Sequence, residues 1–345
     1  MLKLFRLVRW SIAAFVFAFP GSVLAQAKPA DTPQAERQQT QPYNNAPVWR
    51  EVRKEGQEHS TTVKGREAGV LVQSAGETWR QIRNGPVTVW GGFALIIVCA
   101  IIAAIYFGKG PITTHNKPTG RMILRFNQIE RWAHWTMGIS FCVLAVSGLT
   151  LLFGKHVLLP VIGYTLFAWL SLLLKNLHNF VGPVFIVSVL VFVPMFIRDN
   201  LPKAYDFGWF TRAWGLFMRS EHIPSGRFNA GEKGWFWGGI VGLTIVVGVT
   251  GVILLFPNFD QTRATMQQAW IWHTVAALVY MLVGIGHIYM GSIGVEGSYQ
   301  AMREGSVDES WAKEHHQYWY EEVKAGTGAA TGGAVPAGAP RAEKK

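Results

Sequence analysis

Four histidines carry the chemistry open to this sequence. His134, His178, His273 and His287 all fall inside long apolar stretches. An ionisable side chain in a membrane-spanning helix is costly and is a sign of function by default. One such histidine could be a satisfied core residue, but four make a pattern. His273 and His287 share one stretch and stand fourteen residues apart (287 − 273). At about 100° per residue, that spacing returns to within roughly 40° of the same helix face after a rise of about 21 Å. One face of one helix then offers an imidazole near each side of a membrane. This suits two stacked haems, and two imidazoles on opposite sides of one iron make an electron-transfer centre with no open position. A zinc site would need three or four ligands at one depth. No CxxCH occurs, which excludes covalent c-type attachment, and no cysteine cluster is present to hold an iron–sulfur centre. Cys99 and Cys142 read as small apolar packing. His59, His115, His156, His222, His315 and His316 lie in loops or polar ends and are expected at surfaces or interfaces, not as ligands.

The elements that must position the histidines are apolar helices. Of the 345 residues, 50% are hydrophobic and only 15% charged, against about 25% charged in soluble domains. Many of the fifteen Trp residues sit near the ends of apolar runs, where amphipathic rings favour the membrane interface. Residues 1–25 read as a secretory signal: Lys3, Arg6 and Arg9, a short apolar run, then Val23-Leu24-Ala25. An uncleaved anchor is the alternative. Residues 26–86 are polar, Pro- and Gln-rich at first, and are expected to be partly disordered. Spanning helices are expected at 87–107, 132–153, 235–256 and 270–291. The stretch 157–197 would measure roughly 60 Å as one helix, so a break is expected near Leu170, with the third span over 171–197. The tail is polar, and its Gly/Ala-rich end is low in complexity.

Charge gives orientation and depth. The loops 109–131 and 198–234 hold eleven basic residues, whereas the opposite short loops hold only Lys155 and Arg263. The positive-inside rule places the rich loops in the cytoplasm, the N-terminal segment outside and the C-terminus inside. The net charge of +11 is thereby read as a topology signal, not as nucleic-acid binding. His178 and His273 then lie near the outer face, and His134 and His287 near the inner face. Those are the expected pairs.

Several stretches carry a resemblance: Arg131-Trp-Ala-His134-Trp, Leu177-His178, Ile271-Trp-His273 and Gly286-His287-Ile-Tyr-Met290. So do Phe228-Asn229-Ala-Gly231-Glu-Lys233 and the tail from Trp311 through His315-His316 to Trp319-Tyr320. Over about 121–323 the chain resembles the gamma (cytochrome b) subunit of respiratory formate dehydrogenase, in a long form with an N-terminal extension. The resemblance implies a four-helix bundle with two b haems in the bacterial inner membrane. It implies as partners a molybdenum- or tungsten-containing alpha subunit and an iron–sulfur beta subunit. It also implies a quinone site beside the inner haem that involves Asn229, Gly231 and His287. The familiar short members carry Gln where Glu232 stands, and lack the signal, the secreted segment and the first span.

The expectation is an all-α integral membrane protein. A di-haem four-helix domain occupies 121–300, preceded by a signal (1–25), a periplasmic extension (26–86) and an accessory helix (87–108), and followed by a cytoplasmic tail (301–345). It would pass electrons from the iron–sulfur partner through two haems to quinone without oxidising formate itself. A hydrogenase-type cytochrome, or a haem-free anchor or transporter using His proton relays, remains open on the residues alone. Asn229 is also a good helix N-cap.

Overall fold

The structure, a computed structural model, describes residues 75–219 and 223–326, with the side chains of 213–219 left aside. The signal, the first part of the extension, His59, His222 and the low-complexity end lie outside the described residues.

Five helical stretches are long and apolar enough to cross a membrane. In the first, α1 (Gly76–Ile82) runs through a π-type turn (Arg83–Val87) into α2 (Thr88–Lys109). The chain bends at Gly85-Pro86, where Pro86 has no N–H to give. Residues 76–86 are therefore helical and belong to this span. Trp79 meets Trp270 edge-on at 5.6 Å, and the Arg83 guanidinium lies 5.1 Å from the Trp270 ring centre. After strand β1 (Met122–Leu124) come α3 (Gln128–Val157) and α4 (Leu159–Phe196). The break expected near Leu170 falls instead at Gly163, whose φ of 76° is open to glycine without a Cβ penalty. Beyond Gly163 the helix continues to Phe196 through Pro183 and Pro194.

Helix α5 (Ala204–Arg219) lies in the following loop. The fourth span is α6 (Ala230–Gly234), a π-type segment (Trp235–Leu243) and α7 (Thr244–Leu255). The fifth is α8 (Arg263–Tyr289), which starts earlier than its apolar run because Thr262 caps it, accepting from the Thr265 N–H. A π-type turn (Met290–Gly294) ends it. Four of these spans close around an aromatic core that includes Phe185, Phe192, Phe196, Phe236 and Tyr280.

The tail folds onto the bundle. Helix α9 (Ser298–Glu304), strand β2 (Ser306–Asp308), α10 (Glu309–His315) and α11 (Gln317–Lys324) follow one another. β2 pairs antiparallel with β1 in the register Met122↔Asp308, Ile123↔Val307, Leu124↔Ser306.

One pattern is used twice. Arg125-Phe-Asn127-Gln-Ile-Glu130 opens α3, and Arg227-Phe-Asn229-Ala-Gly-Glu232 opens α6. Each Asn accepts from the N–H of its Glu, and each Glu accepts from the N–H of its Asn, which is a reciprocal capping box. The arginines cross over. Arg227 donates to Glu130 at 2.8 Å and to the Arg125 carbonyl, whereas Arg125 donates to the Arg227 carbonyl and reaches Glu232 at 3.4 Å. Arg227 also holds Asp199, just beyond the end of α4, so this network ties three helix ends together.

Candidate functional site

The histidines meet in two pairs. The rings of His178 and His273 have centroids 6.2 Å apart, and those of His134 and His287 are also 6.2 Å apart. Two imidazoles bound on opposite sides of one metal, each nitrogen about 2 Å from it, put their centroids about 6 Å apart. Both pairs therefore have the opening that a bis-imidazole iron requires. Among the described residues no group of three or more His, Cys, Asp or Glu is placed to hold a metal ion.

The His178/His273 pair is set up by two matching devices. On α3, Ser147 lies 2.8 Å from His178 Nδ1, and its own proton goes to the Val143 carbonyl at 2.7 Å. With its proton so placed, Ser147 accepts from His178 Nδ1. On α7, Thr250 likewise gives its proton to Val246 at 2.6 Å, and His273 Nδ1 faces both the Val247 carbonyl at 3.0 Å and Thr250 Oγ1 at 3.1 Å. A carbonyl only accepts, so His273 also carries its proton on Nδ1. Each ring is thus held in the tautomer that leaves the Nε2 lone pair for a metal, as outer-shell partners of ligating histidines do. The residue after each hydroxyl is glycine. A Cβ on Gly148 would stand 3.5 Å from His178 Cε1, and one on Gly251 would stand 3.2 Å from His273 Cε1. The histidine of a neighbouring helix therefore packs directly on the backbone at both places.

The His134/His287 pair has a different environment. His287 stacks on Trp235 with centroids 5.1 Å apart and planes 17° apart. His134 Nδ1 is buried without a hydrogen-bond partner among the described residues. Both rings line a cavity of about 930 Å³ whose polar end includes Arg125, Asn229, Gly231, Glu232 and His316. Asn229 and Gly231 thus share a cavity with His287. Asn229 Oδ1 is committed to the cap at 3.0 Å, leaving its Nδ2 as the donor available to a ligand. His316, expected at a surface or interface, is 3% exposed and donates from Nδ1 to the Gly226 carbonyl at 2.7 Å. Burial, with Arg125 beside it, holds His316 well below its ordinary value of 6.5, so it is neutral.

Ser147 and Thr250 were not legible as site residues in the sequence. Their signal is a hydroxyl-glycine pair, Ser147-Gly148 and Thr250-Gly251, inside each of two apolar helices. From the capping Asn the spacing is 20 residues in α3 (147 − 127) and 21 in the fourth span (250 − 229). The extra residue fits the π-type segment, which absorbs an insertion within a helix.

The family described as prokaryotic cytochrome b561 matches residues 125–305, just over half of the chain. The chain is 31% identical over 214 residues to the nitrate-inducible formate dehydrogenase cytochrome b556(Fdn) subunit of Escherichia coli strain K12, covering 59% of this chain and 93% of that one. It is 33% identical over 205 residues to the formate dehydrogenase cytochrome b556(fdo) subunit of the same strain, with the same coverage. The formate dehydrogenase cytochrome b556 subunit of Haemophilus influenzae is 26% identical over 210 residues, with 83% of its length covered. The chain therefore belongs to the prokaryotic cytochrome b561 family, as a membrane cytochrome b of the formate dehydrogenase type.

Proposed function

We propose that this chain holds two b haems, one between His178 and His273 and one between His134 and His287. We further propose that it passes electrons from a periplasmic iron–sulfur subunit of formate dehydrogenase to quinone. The observation that carries this reading is the repeated 6.2 Å pairing of two imidazoles at each of two levels. When bound, haem would supply one-electron transfer, and His178, His273, His134 and His287 are the residues that would hold its iron. Ser147 and Thr250 orient the first pair of ligands, and Trp235 supports the second. Asn229 Nδ2 and the backbone at Gly231 bind quinone at the polar end of the cavity beside His287. The basic loops face the cytoplasm, which sets His178 and His273 at the electron-entry side and His134 and His287 at the quinone side.

Pyridine haemochrome analysis of the intact subunit should give two b haems per chain. Replacing His178 or His273 with Ala should remove one haem and block entry of electrons from the partner. Replacing His134 or His287 should remove the other haem and block quinone reduction. One haem in the wild-type chain, or loss of the same haem in His134→Ala and His178→Ala, would overturn the reading.

A further inference from the structure

Helix α2 lies outside the residues matched by the family, which begin at 125. Yet Ile102 and Ile105, one turn apart on α2, and Ile112 just beyond it line the same cavity as His134 and His287. The helix is tied to α8 near both of its ends. Val87 packs with Leu278 and Met281, Tyr106 meets Tyr289 edge-on at 6.5 Å, and the Ile112 N–H donates to the Gly294 carbonyl at 2.9 Å. On α3 and α8 the positions beside the histidines are open. A Cβ added at Gly138 or Gly286 would meet nothing within 4 Å. Ile105 is four residues from the helix end at Lys109, about 6 Å along the axis, so water is close by.

We infer that α2 is a wall of the haem site held by His134 and His287, with Ile102, Ile105 and Ile112 closing its apolar side against water and lipid. This rests on the haem reading proposed above. An apolar shell controls solvent access to such a centre and thereby its potential, and water reaching the iron favours its oxidised, more charged form. The same helix supplies a control, because Ile97 and Ile101 are 54% and 52% exposed on its outer surface.

The test is a redox titration of the whole complex, followed in the haem absorption bands. His134→Ala identifies which component belongs to the walled site. Changing Ile102 and Ile105 together to Ala keeps helix propensity but opens the wall. The walled haem should move to a more negative potential, by about a tenfold change in its redox equilibrium, or 59 mV for one electron. The haem held by His178 and His273 should not move, and neither haem should move in the Ile97→Ala, Ile101→Ala control. Selective loss of the walled haem would also support the inference. If the double variant does not assemble, Ile105→Val makes a smaller opening and should shift the same haem in the same direction. Unmoved potentials with normal haem content would overturn the inference, as would an equal shift in the control. A raised KM for quinone with an unmoved potential would also overturn it, because quinone would then lie against this wall. If no haem depends on His134 in the wild-type complex, the proposed function fails as well, and that result is distinct from the others.

Discussion

At the residue scale, Asn127 and Asn229 make the same capping box at the start of two spans. Only Asn229 lines the cavity beside His287. Asn127 is therefore an internal control for the part of the role that is merely structural. Asp caps a helix as well as Asn does. Asp also removes the Nδ2 donor and brings a negative charge toward a quinone gaining electrons. Asn127→Asp is expected to leave quinone reduction unchanged. Asn229→Asp should keep both haems and their reduction by formate. It should slow electron transfer to quinone by about tenfold or more, the cost of leaving a buried acceptor without its donor. Steady-state rates at saturating quinone check this, and equal rates in the two variants would reduce Asn229 to a cap. The four histidines could be singled out because an ionisable group in an apolar run is conspicuous. Ser147 and Thr250 could not, because a hydroxyl in such a run ordinarily bonds its own helix backbone, as both also do here.

At the element scale, apolar length predicts where helices cross but not where they bend. Length alone required a break in the third apolar stretch, yet any of several residues could have supplied it. Gly163 did so by taking a positive φ that leaves no trace in hydropathy. The pairing of β1 with β2 joins residues more than 180 positions apart, so no local pattern announces it. The segment between α2 and β1 is held by carboxylates of the tail. Asp308 accepts from the N–H groups of Thr119 at 3.0 Å and Gly120 at 2.8 Å, and Glu314 accepts from the N–H of His115 at 2.9 Å. Burial pushes the Asp308 carboxyl up, but Ser310 and the N–H groups of Thr119, Ser310 and Gly120 together hold it below its ordinary value of 3.8. A depressed carboxyl contributes stability that is present above its unfolded value and lost as pH falls through the folded one. Protection of the Thr119 and Gly120 amides, taken relative to their intrinsic exchange rates at each pH, should therefore begin to fall once pH drops below 3.8. Asp308→Ala should lower it already at neutral pH, by roughly fivefold for a cap worth about 1 kcal/mol. Unchanged protection at both amides would show that the carboxylate does not hold the segment.

At the scale of the whole molecule, two hairpins, α3 with α4 and the fourth span with α8, use the same start and the same histidine clamp. The Arg-Phe-Asn-x-x-Glu pattern opens each, a hydroxyl-glycine pair stands about twenty residues on, and a histidine from the return helix packs against that pair. The symmetry is kept at the His178/His273 level. It is broken at the other level, where His134 comes from the first helix of one hairpin and His287 from the second helix of the other. The broken end is where the large cavity opens, and it is the end that α2 and the tail also enclose. Within the extension, residues 76–86 are described and the part before 75 is not. Residues 76–86 pack on Trp270 as part of the bundle, so removing them should disturb the membrane domain. Residues 26–74 lie outside the described residues; by sequence they are polar, rich in Pro and Gln at first, and include Trp49. Deleting 26–74 is expected to leave both haem spectra and the redox potentials of the isolated chain intact, while weakening its association with the periplasmic subunits. Copurification of those subunits in detergent, compared between full-length and deleted chains at equal haem content, checks this. From the eleven-to-two imbalance of basic residues between the loops, a protease added from the periplasmic side is expected to cut within 26–74 of the unassembled chain. Cleavage only from the cytoplasmic side would invert the topology and with it the assignment of electron entry to His178 and His273.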